Sequence, residues 1–358
     1  LFTPNAQVFP DVSTVNPQDL KRAKVALWVV DSNKTNPSYE EVMEFVNVAA
    51  ESGKEVTDIK AVIAILEAEI AKRNLTRVYE EIELPLIPIV DEMEETGVAI
   101  DIKYLKKLSD EYRGELAKID KEIFKLAGKE FNIDSPKQMG EVLFTDMGLV
   151  IKNAKKTSGG ARSTKESELL KLKDEHPIIG LILQHRELSK LLGTYIDTIP
   201  TQVDTSGRLH PKGLQAGTTT GRMSSQDPNI QNIPVKTELG RKIRDAFVAA
   251  DGYSLVSFDY SQIELRVAAF LSKDEKMIEM FKKGGDFHTS VAAEVFGVPP
   301  EKVDKEMRRR AKVINFGIMY GMGVNALRQN LSEGGAGGEP VSRADAQAFY
   351  DTYFKTFT

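Results

Sequence analysis

Cysteine is absent from the 358 residues. Its absence excludes disulfides, thiolate-ligated metals and thiol nucleophiles together. Histidine is nearly as scarce, with four copies, so metal ligation falls to carboxylates. No apolar run approaches the ~18 residues of a membrane span, and the opening LFTPNAQVFPDV lacks the basic and apolar blocks of a signal peptide. A cytoplasmic protein with no membrane partner is the expectation. Strong net charge is also missing, since −5 overall argues against indiscriminate polyanion binding. The average conceals a local excess. Between Ser206 and Arg244 the seven cations Arg208, Lys212, Arg222, Lys236, Arg241, Lys242 and Arg244 meet two acids, Asp227 and Glu238, so this stretch is +5 and the remainder about −10.

What is present is a globular composition, 41% hydrophobic and 28% charged, enough for a core and two or three domains. Residues 1–80 mix a strand-like run, AKVALWVVD, with helical patterns such as DIKAVIAILEAEIAKRN, and read as a small α/β piece. ELPLIPIVDEMEETGVAID (83–101) turns strongly helical. DIKYLKKLSDEYRGELAKIDKEIFKLAG then keeps apolar residues near i, i+3/i+4 and i+7 for about seven turns, long enough to project from a domain. NIDSPKQMGEVLF starts a further helix, with Ser135 or Asp134 as N-cap and Pro136 first. The basic, Gly-containing 152–173 segment reads as the mobile tip of a helical projection or as a solvated charge run.

From Gly207 onward the pattern is short strands and turns. In DGYSLVSFDYSQIELRVAAFLS, Tyr253, Leu255, Ser257 and Asp259 fall on one face of a strand and Val256 and Phe258 on the other. After Ser261 the period becomes helical, with Ile263, Val267, Phe270 and Leu271 as the expected buried stripe. Helices run to the end, interrupted by SEGGAGGEPVS (332–342), a flexible connector that lacks the Gly-Lys-Ser/Thr of a phosphate loop.

Three stretches carry chemistry. FDYSQIELR (258–266) places Asp259 where strand gives way to helix, and one carboxylate rarely holds a metal alone. In MRRRAKVINFGIMYGMG (307–323), Arg308, Lys312, Phe316 and Tyr320 stand four apart, two cations and then two aromatics on one helical face. The opposite side carries Met307, Ala311, Ile314 and Ile318 as core. A cation pair suits a triphosphate and an aromatic beyond it suits the base of the same nucleotide, although an amphipathic helix with a basic exposed face has the same pattern. TTTGRMSSQDPNIQNIP (218–234) crowds Thr, Ser, Asn and Gln around Arg222, groups that bond phosphates, sugars and minor-groove acceptors or that simply fill a polar connector.

Together and in this order the three stretches resemble the family A DNA polymerases, the family of bacterial DNA polymerase I. DYSQIELR looks like the first palm motif, RRRAKVINFGIMYG is similar to the fingers-helix motif, and TGRMSSQDPNIQNIP resembles the segment holding the primer-template. LPLIPIVDEMEETGVAID, FNIDSPKQMGEVLF and ILQHRELSKLLGTYIDTIP look like the thumb, so the resemblance covers about residue 80 onward. It implies an α+β right-hand fold. A remnant α/β exonuclease-like domain (1–80) would precede the thumb and its connection (81–205), a partial antiparallel palm (206–270) and truncated helical fingers (271–358).

The resemblance also implies roles. Asp259 would bind two catalytic Mg²⁺ ions, with the Tyr260 carbonyl as a further ligand. Glu264 would be the steric gate that excludes a 2′-hydroxyl. Arg308, Lys312 and His288 would hold the dNTP triphosphate, with Lys312 as proton donor to pyrophosphate and Gln262 also at the nucleotide. Phe316 would stack near the incoming sugar and base, and Tyr320 would close the templating side. Arg222, Asn229, Gln231 and Lys236 would touch primer-template DNA. The implied activity is template-directed DNA synthesis in replication or repair.

Two departures stand out. The family's second metal-binding Asp lies in a His-Asp-Glu motif far beyond the fingers-helix Tyr, whereas here the four His precede Pro177, Arg186, Pro211 and Thr289. A split enzyme, with a second polypeptide supplying that part of the palm, is the expectation. A truncated chain is the other possibility, and a non-catalytic nucleic-acid binder or a ribonucleotide polymerase of similar fold are competing classes. The proofreading exonuclease begins with Asp-x-Glu, and none of Asp11, Asp19, Asp31 or Asp58 has an acid two residues on, so residues 1–80 are expected to be inactive.

Overall fold

The computed structural model describes residues 11–49, 56–151, 162–235, 237–333 and 341–357. The chain divides into two compact units, Leu1–Leu255 and Val256–Thr358. The boundary falls inside the stretch expected to form the palm.

The first unit opens with α1 (Pro17–Val30), α2 (Tyr39–Ala49) and α3 (Ile59–Lys72), which pack on one another. The run AKVALWVVD, expected as a strand, is the second half of α1. Asn16 accepts from the amides of Gln18 and Asp19, Pro17 takes the first position, and Ala23, Ala26, Leu27 and Val30 bury at helical spacing. A cap, a preset φ and a partner surface outweigh the β-preference of Val and Trp. A short α4 (Thr76–Val78) leads through a π-helical turn, Tyr79–Glu83, into α5 (Leu84–Thr96). The described residues up to Thr96 contain no strand, so the α/β expectation for 1–80 does not hold.

Gly97, at φ +60°, ends α5 and admits β1 (Val98–Ile100) within a run expected to be helical throughout. A Cβ there would stand 2.5 Å from the Leu209 carbonyl oxygen, so the close approach requires glycine. Asp101 caps α6 (Ile102–Ala127), about 39 Å long at 1.5 Å per residue. It does not project freely. Leu105, Leu108, Tyr112, Ile119 and Ile123 form a buried stripe against the later helix α9. Ser135 caps α7 (Pro136–Glu141), as its sequence requires, and α8 (Glu166–Leu169), α9 (Pro177–Leu191) and α10 (Ile199–Gln202) follow. The first ten residues of the expected basic tip, 152–161, lie outside the described residues.

After these helices come β2 (Arg208–Leu209), the antiparallel hairpin β3 (Lys212–Leu214) and β4 (Ser224–Gln226), α11 (Glu238–Arg244) and β5 (Phe247–Val248). β1 sits between β2 and β5 in a three-stranded antiparallel sheet, with Val98 opposite Leu209 and Ile100 opposite Phe247. The segment preceding the long helix is thereby joined to the strand-rich region.

Residues 253–259 do not form the expected strand, and Phe258 is 93% exposed. A strand persists only with a ladder partner, and none of the described residues pairs with this segment. The second unit then builds α12 (Ile263–Ser272), α13 (Glu275–Lys283), α14 (Phe287–Phe296), α15 (Lys305–Met319), α16 (Val324–Glu333) and α17 (Arg343–Thr356) around Leu265, Met277, Phe287, Val291, Ile314 and Leu327. The expected buried stripe of α12 is inverted. Leu265 and Ala269 face the core, while Ile263, Val267, Phe270 and Leu271 are exposed, Phe270 by 77%. α12 presents the narrower apolar face to its unit and leaves the broader one uncovered among the described residues. The Gly-rich connector at 334–340 lies outside the described residues.

Candidate nucleotide and nucleic-acid site

α15 carries the cation and aromatic stripe as expected. Asp304 caps it by accepting from the Met307 amide at 2.7 Å. Ala311 and Ile314 are buried and Met307 and Ile318 half-buried, which turns Arg308, Lys312 and Tyr320 outward. Phe316 and Tyr320 stack with centroids 6.3 Å apart and planes 13° from parallel.

The centre of the cluster is a residue that spacing rules did not single out. Asp286, the N-cap of α14, receives both arms of the Arg308 guanidinium, Nε to Oδ2 and Nη2 to Oδ1, each at 2.8 Å. Thr289 donates to the same carboxylate from its amide at 2.8 Å and its hydroxyl at 2.7 Å, and Gln262 Nε2 donates at 3.3 Å. Burial pushes the Asp286 carboxyl up, but Arg308 and Thr289 outweigh it and bring it down to about 2. Asp286 in turn holds the Arg308 guanidinium above its ordinary range. Gln262 itself adopts φ +54° at the head of α12 and reaches this carboxylate instead of capping its own helix.

His288, two residues on, is 4% exposed, and its ring lies 5.7 Å from that of Phe316. Its Nδ1 is 2.9 Å from Nδ2 of Asn315, a fully buried residue on α15. Burial depresses the imidazole, the positive charges of Arg308 and Lys312 add to that, and Asp286 opposes it. Asp286 thus joins Gln262 to Arg308, and ring contacts join His288 to Phe316 and Phe316 to Tyr320, with Lys312 one turn from Arg308. Asp286, Thr289 and Asn315 were missed. The capping sequence Asp286-x-x-Thr289 was a readable signal for the first two, and nothing local marked Asn315.

Glu264 is half-buried in the first turn of α12, and Asp259 and Tyr260 lie on the exposed segment before it. Among the described residues no group of three His, Asp or Glu side chains could hold a metal ion. Asp259 and the Tyr260 carbonyl are the oxygen donors a hard cation takes, but they supply only part of an octahedral shell.

In the first unit, Arg222, Asn229 and Gln231 are exposed on the β3–β4 hairpin and the turn after it. Asn229 accepts from the Gln231 amide at 3.1 Å, and Gln231 Nε2 donates to the Met223 carbonyl at 3.3 Å, which ties the turn to the strand. Lys236 lies outside the described residues. Other cations of the basic stretch hold the fold. Arg208 donates to the carbonyls of Thr96 and Gly97, Lys242 pairs with Glu111 at 3.0 Å and Lys212 with Asp227 at 3.7 Å.

No helix among the described residues is long and apolar enough to cross a membrane. The family model for DNA polymerase family A matches residues 102–358. The chain is 43% identical to a thermostable DNA polymerase I of Thermus caldophilus over 92% of its own length and 39% of the relative's. It is 48% identical to that of Thermus aquaticus over 80% and 33% respectively, and 43% identical to DNA polymerase I of Bacillus subtilis over 85% and 34%. The chain therefore spans about two fifths or less of these curated relatives. Among solved structures, the polymerase domain of Pol1 from M. smegmatis, in complex with DNA primer-template and dNTP, aligns with a TM-score of 0.79 at 32% identity, covering 94% of this chain and 58% of that one.

Proposed function

The chain belongs to DNA polymerase family A, and from that premise we propose that it forms the nucleotide-selecting and primer-template-holding part of a template-directed DNA polymerase. The observation that carries this reading is the convergence of Arg308, Lys312, His288 and the Phe316–Tyr320 stack on α14 and α15. Arg308 and Lys312 bind the triphosphate of an incoming dNTP, and the aromatic pair receives the base and sugar one to two turns further on. Glu264 stands at the head of α12 to bar a 2′-hydroxyl. The primer 3′-hydroxyl gives up its proton to water as its oxygen attacks the α-phosphorus, the bond to pyrophosphate breaks, and Lys312 supplies the proton that pyrophosphate takes up. Arg222, Asn229 and Gln231 hold the duplex, and Lys236 is assigned to the same contact by its place in the motif.

Asp259 and the Tyr260 carbonyl would hold divalent cations, two Mg²⁺ in this reading. When bound, these cations neutralise phosphate charge and lower the pKa of the attacking hydroxyl. The donor set among these residues is incomplete, so the second carboxylate comes from palm residues outside these 358, on the same chain or on a second polypeptide. The unpaired segment 253–259 and the exposed face of α12 support such a missing part, because both expose apolar side chains next to Asp259. The thumb, palm and fingers boundaries (81–205, 206–270, 271–358) belong to the same reading, and the N-terminal helices act as support without exonuclease activity.

Primer extension tests it. The 358-residue chain is expected to bind primer-template and dNTP but to add no nucleotide with Mg²⁺ until the missing palm residues are supplied. In the completed enzyme Asp259→Ala abolishes extension and Glu264→Ala admits ribonucleotides. Extension by these residues alone overturns the need for further palm residues. Failure of the completed enzyme to extend would leave a non-catalytic primer-template binder.

A further inference from the structure

Asn315 is 0% exposed, and its side-chain Oδ1 has no hydrogen-bond partner among the described residues. A buried amide with one end unpaired is disfavoured against an apolar side chain of similar volume, so its paired end must do something a leucine could not. That end meets His288, Nδ2 to Nδ1 at 2.9 Å. An amide nitrogen can only donate, so Nδ1 must accept, and the single ring proton of a neutral imidazole is then on Nε2. Turning the amide would place Oδ1 on Nδ1 and leave the two-donor NH₂ group unpaired in its place, a worse arrangement.

We propose that Asn315 is a positioning residue that fixes His288 as the neutral, Nε2-protonated tautomer, so that the α14–α15 face offers the triphosphate an uncharged N–H donor beside its two cations. This rests on the reading of that face as a triphosphate site. The charged groups facing the ring are Asp286 on α14 and Arg308 and Lys312 on α15, with Phe287 and Phe316 as the aromatic neighbours. Their balance favours neutrality, since the two cations and burial act against the carboxylate. A third positive charge would tighten the grip on dNTP and pyrophosphate alike, and uniform binding of this kind slows release without helping the chemical step. A neutral donor orients the phosphates without adding it.

The test is long-range ¹H–¹⁵N NMR of the ¹⁵N-histidine-labelled chain, with His288 assigned by its loss in His288→Gln. Wild-type His288 is expected to show the Nε2–H tautomer and to stay neutral below about pH 6.5, the ordinary midpoint. In Asn315→Asp a carboxylate faces Nδ1, so the ring should charge at neutral pH, and the affinity for dATP should become several-fold tighter toward acid. Asn315→Leu should yield a tautomer mixture. A wild-type His288 that is charged or Nδ1-protonated at neutral pH overturns the proposal, whether or not any variant folds, and leaves the proposed function standing. The correct tautomer with no response of His288 to dATP instead removes the triphosphate reading on which the proposal rests.

Discussion

At the scale of single residues, the site shows where local spacing carries information and where it does not. The Arg308, Lys312, Phe316 and Tyr320 stripe was legible because helical geometry follows from sequence separation alone. Asp286 organises that stripe from 22 positions away, through packing that no local pattern encodes. Its carboxyl is held down to about 2, below the ordinary 3.8, so its contribution to stability is present above about pH 4 and is lost as pH falls toward 2. Asp286→Asn keeps the helix cap but loses the charge-assisted bonds to Arg308 and Thr289. It is expected to cost about 1 to 2 kcal/mol at neutral pH, since Arg308 is half-exposed and its pairing is screened. Urea melts followed by circular dichroism should show that cost and a flatter acid limb. An unchanged acid limb would assign the pH dependence to other carboxylates.

At the scale of elements, helices with caps were readable and strands without neighbours were not. Ser135 and Pro136 announced α7, and the period over 102–127 announced α6. AKVALWVVD and 253–259 carry similar apolar residues, yet one is a capped helix and the other an unpaired exposed segment. The difference lies in what stands opposite, α3 in the first case and no ladder partner among the described residues in the second. The turn at Gly97 was equally invisible, since its demand comes from Leu209 and His210 more than a hundred residues later. Gly97→Ala is expected to destabilise the first unit by about 3 kcal/mol, combining left-handed strain with a clash. Gly128→Ala, at φ +72° with nothing within 4 Å, carries only the strain and should cost about 1 kcal/mol. Equal losses of melting temperature in the two variants would refute the clash.

At the scale of the whole molecule, a net charge of −5 coexists with a +5 stretch that contains the expected DNA contacts. Because Arg208, Lys212 and Lys242 are engaged within the fold, fewer cations are available to phosphates than the composition suggests. Affinity for primer-template should fall linearly on a log-log salt plot, as cations of this stretch displace counterions from the DNA phosphates. A flat response would remove the basic stretch as the DNA track. The hairpin that presents Arg222 is held from behind by the N-terminal helices. Asn36 donates to the Ala216 carbonyl at 2.7 Å, and the buried indole of Trp28 donates to the carbonyl of Thr218 at 2.7 Å. Trp28 is the chain's only tryptophan. Its indole emission therefore arises from one place, against the Thr218 carbonyl four residues before Arg222, and the protein carries its own optical reporter beside the loop where DNA is expected to rest.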